Sequence, residues 1–237
     1  MPKPPRQVPL VHLRPDPALS LKDPESSKLG QAILQEGLAL MNELGLEGFT
    51  FKKLAARVGS TEVSLYKYFP NKQRLLQYYF QLYWLWLRQL TGRHAERANT
   101  PREALERVVE AICGVWPKDA PALQLDPHAL RALVIDEGMK SYLHKHVDDD
   151  NAQRLFMPYK ELSAFLAEML VDCRKDVPLP RSFATTVIEM AHSLPFAMDH
   201  LPSLTELSAR KDMKPLAQHL LQRTFTYLDH AEPLKKK

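Results

Sequence analysis

The chain has 237 residues, which is enough for one or two domains with a buried core that needs neither disulfides nor metals. Hydrophobic residues make up 45% and glycine occurs only 8 times, a balance that disfavours a turn-rich all-β fold and favours helices. The net charge of +4 is uneven: residues 1–97 carry 14 Lys/Arg and 8 Asp/Glu, and such a basic N-terminal part is a weak indication of nucleic-acid binding.

Cysteine usage and hydropathy indicate the compartment. Cys113 and Cys173 lack CxxC spacing, so we expect neither a disulfide framework nor a cysteine-based zinc site. The first 25 residues contain seven prolines and no apolar signal core, and the stretch from Leu75 to Leu90 is too short and too polar for a bilayer span. These features predict a reduced, soluble, cytoplasmic protein with no membrane partner.

Residues 1–25 are proline-rich and lack helical periodicity, so we expect a flexible or extended arm. The net charge of the arm is only +1, from four basic and three acidic residues. A disordered tail and an arm that enters the DNA minor groove both remain open.

Apolar residues at three- and four-residue steps predict helices from Ser26 onward. Gly45 and Gly48 are expected to end the first helix, while Thr50 and Thr61 are suitable N-caps for two short helices. The first four helices are predicted to begin near Ser26, Phe51, Glu62 and Lys72, the fourth continuing to about Arg97.

The remaining sequence is also helical in pattern. Thr100-Pro101 and Asp126-Pro127 are cap-then-proline signals, each ahead of an apolar periodic run. Further helices are predicted over residues 151–174, 180–200 with a kink at Pro195, and 213–228. About nine helices and no strand pair predict an all-α fold.

Two short helices on either side of a turn at Gly59-Ser60 form the motif that indicates function. The run from Phe49 to Leu76 reads FTFKKLAARVGSTEVSLYKYFPNKQRLL, the layout of a helix-turn-helix whose second helix enters the DNA major groove. Its hydroxyls suit phosphate oxygens and its lysines supply charge. The side chain of Lys67 is long enough to reach the edge of a guanine in the major groove. The hydroxyl of Thr61 or Ser64 could contact a base.

Residues 28–76 resemble the DNA-binding domain of the TetR family of transcriptional regulators. The run LYKYFPNKQRLL is the most specific part, and the resemblance covers about 50 residues. Beyond them only helical character, length and domain order agree. Ser60 stands where the family usually has a small apolar residue, and Val63 where glycine or threonine is frequent.

The resemblance implies a domain organisation and a set of DNA-contacting positions. It divides the chain into the arm, an N-terminal three-helix DNA-binding domain at residues 26–71, and a larger helical ligand-binding and dimerisation domain at residues 72–237. The implied DNA-binding residues are Thr50, Lys52, Thr61, Val63, Ser64, Tyr66, Lys67, Tyr68 and Lys72.

The aromatic stretch from Tyr78 to Leu87 is either the packed core of a central helix or one wall of an aromatic ligand pocket. In TetR-like proteins this helix links the two domains, and the last two long helices form a four-helix bundle across a twofold axis. We therefore expect a homodimer and an apolar or aromatic effector. The candidate pocket residues are Trp84, Trp86, Trp116, Tyr159 and Met190.

Other constellations predict no chemistry. The HKHVDDD run places only His144 and Asp148 on one helix face, fewer ligands than zinc needs, and His192 and His200 suit a core or an interface. The sequence lacks a nucleophile elbow, a GxGxxG motif and a Walker A motif. We expect no catalytic residue, no metal and no cofactor.

These observations predict a cytoplasmic, nucleoid-associated regulator that binds a palindromic operator in double-stranded DNA as a homodimer. The predicted mechanism is repression relieved by a small molecule. Two alternatives remain open: a TetR-like DNA binder without an inducer, constitutive or controlled by a partner, and, more remotely, a helical metal-dependent enzyme.

Overall fold

The computed structural model describes residues 12–208 and 212–232. Within these ranges the regular structure is ten α-helices and four 3₁₀ turns, with no β-strand, which confirms the predicted all-α class. The helices are α1 Lys28–Gly48, α2 Phe51–Arg57, α3 Glu62–Tyr66, α4 Lys72–Glu96, α5 Pro101–Ile112, α6 Pro127–Glu137, α7 Val147–Ala152, α8 Met157–Cys173, α9 Pro180–His200 and α10 Lys214–His230.

Side-chain caps begin the helices where the sequence predicted them. The Thr50 hydroxyl accepts from the N–H of Lys53 at the start of α2, and the Thr61 hydroxyl accepts from Ser64 at the start of α3. Each cap pairs one of the backbone N–H groups that the first turn of a helix leaves unpaired. Thr100, before α5, and Asp126, before α6, act in the same way, each followed by proline.

One predicted helix begins later than its apolar pattern indicates. The pattern predicts a helix over 151–174, but α7 ends at Ala152 and α8 begins at Met157. Arg154 has a φ of 63°, and the N–H of Leu155 turns back to the carbonyl of Asp150 at 3.0 Å. This left-handed helix end uses arginine where glycine is usual, so no local signal announced it.

The described chain divides into two compact units. The first contains residues 12–86 and 121–157, in which α1 packs on α2 and α6, and α2 packs on α3. The second contains residues 87–120 and 158–232, in which α10 packs on α5 and α9. This division concerns packing, whereas the boundaries predicted at residues 25 and 71 separate functions and stay a prediction.

The apolar face predicted for the last helix is largely buried within the second unit. Leu216, Leu220 and Leu228 are at most 2% exposed, and the Phe183 ring stacks on Tyr227 with centroids 3.9 Å apart. Pro195 lies inside α9, as the sequence predicted. Packing within the unit therefore explains this apolar face without a second copy.

Part of the predicted proline-rich arm, residues 1–25, is packed rather than flexible. Residues 1–11 of the predicted arm lie outside the described residues, but the rest contains the 3₁₀ turns Pro17–Leu19 and Pro24–Ser26. Leu19 has no exposed surface, and Leu21 donates its N–H to the Tyr68 carbonyl at 2.8 Å. The expectation of a flexible or extended arm is therefore corrected for residues 12–25. A few buried apolar side chains outweigh the low average hydropathy of the segment.

In the described ranges, no helix combines the length and the apolar character that crossing a bilayer would require.

Candidate nucleic-acid interface

The α2–turn–α3 unit is held together by apolar contacts on its inner side. Leu54 and Leu65 are at most 1% exposed, and the rings of Phe51 and Tyr66 lie 4.9 Å apart. Gly59 has a φ of 65° in the turn, and the N–H of Ser60 donates to the Ala55 carbonyl at 2.9 Å. This packing fixes the direction in which the outer side of α3 faces.

The outer side of α3 presents the side chains that the sequence assigned to the DNA groove. Val63 is 71% exposed and Tyr66 is 45% exposed, and Thr61 and Lys67 are also exposed. The hydroxyls of Thr61 and Ser64 share a hydrogen bond of 2.9 Å. The structure therefore brings these five predicted residues together around one short helix.

Thr50 and Lys52 lie at the start of α2, and both are exposed. The neighbouring ammonium group of Lys53 donates to the Gly48 carbonyl at 2.7 Å. The side chain of Arg57 is held by two carboxylates of α1, at 2.7 Å from Glu36 and 2.6 Å from Glu43. Arg57 thus joins α2 to α1, and its charge is neutralised there.

Tyr68 and Lys72 are more enclosed than the other predicted contacts. Tyr68 is only 5% exposed, and its hydroxyl shares a 2.7 Å hydrogen bond with the hydroxyl of Ser27. The half-buried Lys72 donates from its ammonium group to the Leu46 carbonyl at 2.8 Å. Both side chains fasten the end of the motif to α1. If Tyr68 and Lys72 also contact DNA as predicted, each has a structural role as well as a binding one.

Glu62, which the sequence analysis did not name as a DNA contact, lies among the predicted DNA-contacting residues of α3. It is half-buried in the first turn of α3, and the Tyr66 hydroxyl donates to its carboxylate at 3.4 Å. A carboxylate on a recognition helix accepts from the N4 amino group of cytosine. Its position directly after the Thr61 cap was the signal that could have identified it.

The five candidate pocket residues divide between the two compact units. Trp86 is 1% exposed and donates from its indole nitrogen to the Pro121 carbonyl at 2.7 Å, while Trp84 is half-buried against the Tyr83 ring. In the second unit, the indole of Trp116 donates to the Ala111 carbonyl at 2.8 Å.

Tyr159, also in the second unit, donates to the Glu189 carboxylate at 2.5 Å. Met190 follows that glutamate on α9 and is half-buried. A cavity of about 10 Å³ in the first unit is bounded by His12, Leu34 and Leu82 among others, and by none of the five candidates. A volume of this size holds about one water molecule.

The HKHVDDD run contributes an ion-pair cluster. Asp150 is 4% exposed and accepts from Gln77 at 2.5 Å, with Arg74 at 2.9 Å and His144 at 3.6 Å from its carboxylate. These pairs connect α7 to α4 within the first unit. The parts of the chain that the structure describes contain no group of three His, Cys, Asp or Glu side chains arranged for a metal ion.

Comparison with known proteins places this motif in a family. Residues 33–79 match the family model described as bacterial regulatory proteins, tetR family. The chain is 41% identical over 46 residues to the class C tetracycline repressor protein of Escherichia coli. It is 43% identical over 44 residues to the class A protein from transposon 1721. Each match covers 19% of this chain and 21% or 20% of the relative, so the chain spans about a fifth of the length of the curated relatives it matches.

Solved structures resemble the chain over most of its length. The ketosteroid transcriptional regulator of Mycobacterium tuberculosis has a TM-score of 0.55 at 14% identity, covering 84% of this chain and 93% of that one. AibR, solved with isovaleryl coenzyme A and operator DNA, has a TM-score of 0.56 at 15% identity, covering 81% and 96%. At such identities the likeness concerns the fold.

The sequence match is confined to the helix-turn-helix, and the fold match extends through the helices that follow it. Residues 33–79 therefore carry the DNA-binding motif of the TetR family of transcriptional regulators, and the rest of the chain resembles the solved structures in fold.

Proposed function

We propose that this protein is a sequence-specific repressor that binds a palindromic operator as a homodimer and is released by a small apolar or aromatic ligand. The observation that carries the proposal is the exposed side of α3, where Val63, Tyr66 and Lys67 project from a helix anchored by the buried Leu65. The family match over the same helices supports this use of the surface.

The chemistry of the α3 side chains suits the major groove. Lys67 supplies a donor for guanine O6 and N7, and the Val63 methyl groups suit the C5-methyl group of thymine. Thr50 and Lys52, at the start of α2, are exposed and suited to phosphate oxygens. Phosphate contacts set the register of the motif, and the α3 side chains then select the sequence.

A homodimer follows from the small size of the reading element. α3 has five residues and reads only a few base pairs, so two copies on an inverted repeat would supply the specificity that one lacks. A closed twofold dimer is the commonest way for a soluble protein to present two such motifs. Such a regulator would act on the cytoplasmic nucleoid.

Ligand release would operate by a shift between two populations of the dimer. In one form of the dimer the two α3 helices match the spacing of the operator half-sites, and in the other form they do not. A ligand that binds the second form more tightly lowers the affinity for the operator, and the size of the effect is limited by the difference between its affinities for the two forms. Two structural neighbours give this idea support: one was solved with isovaleryl coenzyme A and operator DNA, and the other is named a ketosteroid regulator. For this chain, the half-buried Trp84 is an aromatic group suited to an apolar ligand.

The competing proposal is a TetR-like DNA binder without an inducer. It is favoured by the internal hydrogen bonds of Trp116 and Tyr159, whose polar groups already have protein partners at 2.8 and 2.5 Å. The two proposals agree on DNA and differ only in the response to small molecules.

The deciding experiment selects genomic DNA fragments on the purified protein at two salt concentrations and sequences the bound fraction. An enriched inverted repeat supports a dimeric operator-binding regulator and provides the probe for a screen of apolar and aromatic ligands. Weak, uniform, salt-sensitive retention of all fragments would contradict sequence-specific regulation. A specific operator that no ligand in the screen releases would favour the competing proposal.

A further inference from the structure

We infer that the DNA-binding surface extends beyond the helix-turn-helix onto residues 13–27, here called the N-terminal segment, and that Lys22 contacts the phosphate backbone there. The inference rests on the proposed DNA binding and adds a contact outside residues 33–79, which the family model matches. Its basis is the way in which the N-terminal segment is attached to the end of α3.

Three hydrogen bonds and one buried side chain hold the N-terminal segment in place. Leu21 donates its N–H to the Tyr68 carbonyl at 2.8 Å, and the Ser27 hydroxyl pairs with the Tyr68 hydroxyl at 2.7 Å. Asp16 donates its N–H to the side-chain oxygen of Gln81 on α4 at 2.6 Å. Leu19 has no exposed surface. The segment is thus bound to both the backbone and the side chain of Tyr68.

Lys22 is placed next to the recognition helix by this attachment. Its side chain is exposed, and its ammonium nitrogen lies 5.2 Å from the centroid of the Tyr68 ring. Tyr68 follows directly after Lys67, the C-cap of α3. The neighbouring Asp23 uses its carboxylate to accept from the N–H of Glu25 at 2.9 Å. The Asp23 carboxylate is thus engaged within its own turn, and Lys22 provides an exposed ammonium group beside the residue that follows α3.

The dimensions of DNA bring this end of α3 close to phosphate. Five helical residues span about 7.5 Å, less than the major-groove width of about 12 Å. A lysine side chain that projects beyond an end of α3 can therefore reach the flanking sugar-phosphate backbone when the helix is in the groove. Lys22, exposed beside the ring of Tyr68, has such a side chain.

Two cations of the motif already have partners within the protein, so one more exposed cation matters for DNA binding. Arg57 is already paired with Glu36 and Glu43 on α1, and Lys72 donates to the Leu46 carbonyl. An exposed lysine meets phosphate as a point charge with freely rotating donors. Contact between Lys22 and phosphate would strengthen binding to every sequence and would not select a base.

The test compares Lys22→Gln and Lys22→Arg with a matched control, Lys145→Gln, in the full chain. Lys145 is exposed in the same compact unit, in the turn before α7. The association constant of each protein for DNA is measured at a series of salt concentrations, once with the selected operator fragment and once with sheared duplex DNA of mixed sequence. Thermal unfolding of each variant verifies that the fold is retained.

For Lys22→Gln, the slope of log affinity against log salt should become shallower by about 0.9, the value for one lost phosphate contact. The loss of affinity should be similar on both DNAs, Lys22→Arg should retain the parental slope, and Lys145→Gln should leave it unchanged. If Lys22→Gln and Lys145→Gln behave alike while the parent binds with a steep slope, the inference fails and the proposed function stands. If the slope becomes equally shallow in Lys22→Arg, which keeps the positive charge, the charge of Lys22 does not contact phosphate and the inference fails. If the parent itself shows no salt-dependent binding to either DNA, the proposed function and the inference both fail.

Discussion

The Glu137 carboxylate accepts a hydrogen bond of 2.9 Å from the backbone N–H of Leu46. It thereby joins the last residue of α6 to α1 directly after Gly45, whose backbone is not helical and interrupts α1. The carbonyl of the same Leu46 accepts from Lys72 at the start of α4, at 2.8 Å. Glu137 is 6% exposed, and its second oxygen lies 2.8 Å from the ammonium group of Lys140. Side chains of two other helices thus hold both backbone groups of Leu46.

Removing the Glu137 carboxylate should destabilise the first unit. Glu137→Ala leaves the buried N–H of Leu46 without its acceptor, which costs about 1–3 kcal/mol. Glu137→Gln keeps an oxygen at the same position and should cost less. Urea unfolding of the parent and both variants measures the difference, and equal losses for Ala and Gln would indicate that packing, not the hydrogen bond, sets the cost.

Gly45 and Gly59 form a matched pair for backbone strain. Their φ angles are 67° and 65°, a region in which a side chain is strained. A Cβ on Gly45 would lie 3.0 Å from the Glu137 carboxylate, whereas one on Gly59 would meet nothing within 4 Å. Gly59→Ala should therefore cost about 1–2 kcal/mol from strain alone, and Gly45→Ala should cost more. Thermal unfolding ranks the two, and a smaller loss for Gly45→Ala would contradict the contact.

Tyr66 is expected to contribute to DNA affinity through its hydroxyl. A hydrogen bond to a charged phosphate contributes about 1.5–3 kcal/mol, so Tyr66→Phe should weaken operator binding by about tenfold or more. Because the ring packs on Phe51, Tyr66→Ala would also disturb the motif, and Phe is the cleaner variant. Fluorescence anisotropy with the selected operator measures the effect. If Tyr66→Phe binds the operator with the parental affinity, the Tyr66 hydroxyl does not contact the DNA.

Trp84 and Trp86 separate a pocket role from a core role. Trp86 is 1% exposed and bonded to Pro121, so Trp86→Ala should cost about 3–5 kcal/mol of stability whatever the ligand does. The half-buried Trp84 tests the pocket directly. We expect Trp84→Ala to reduce the response to an inducer while operator affinity stays parental. A full response in Trp84→Ala would argue against its place in the pocket.

His94 should make the second unit less stable in mild acid. Burial lowers the pKa of His94, and the charges of Arg97 and Arg107 add to this effect. Because the unfolded chain then binds the proton more readily, stability is present above the ordinary histidine pKa of about 6.5 and is lost as the pH falls below it. Urea midpoints at about pH 7.5 and about pH 5.5, on either side of that value, should differ more for the parent than for His94→Gln. An equal difference in both proteins would assign the acid sensitivity to other groups.

The amino-acid sequence alone determined the features that depend on neighbouring residues. Thr50 and Thr61 cap the helices that follow them, because a capping hydroxyl reaches an N–H only three residues away. Caps and breaker residues predicted the starts of α2, α3 and α4 correctly, and the family resemblance, not the spacing, assigned Val63 and Tyr66 to the DNA-facing side, where both are exposed. The helix-turn-helix was therefore predictable, since its geometry is set by short-range hydrogen bonds and one apolar face.

Tertiary structure decided which distant groups meet, because these pairings depend on the packing of whole helices and leave no periodic trace in the sequence. The partner of the Leu46 N–H lies 91 residues away, on α6. The N-terminal segment has the composition of a disordered arm, yet Leu19 is fully buried and Leu21 is bonded to Tyr68. Likewise, only the packing of α2 on α1 brings Arg57 to the carboxylates of Glu36 and Glu43. Composition describes the average of a segment, whereas burial is determined by the particular surface that another part of the chain provides.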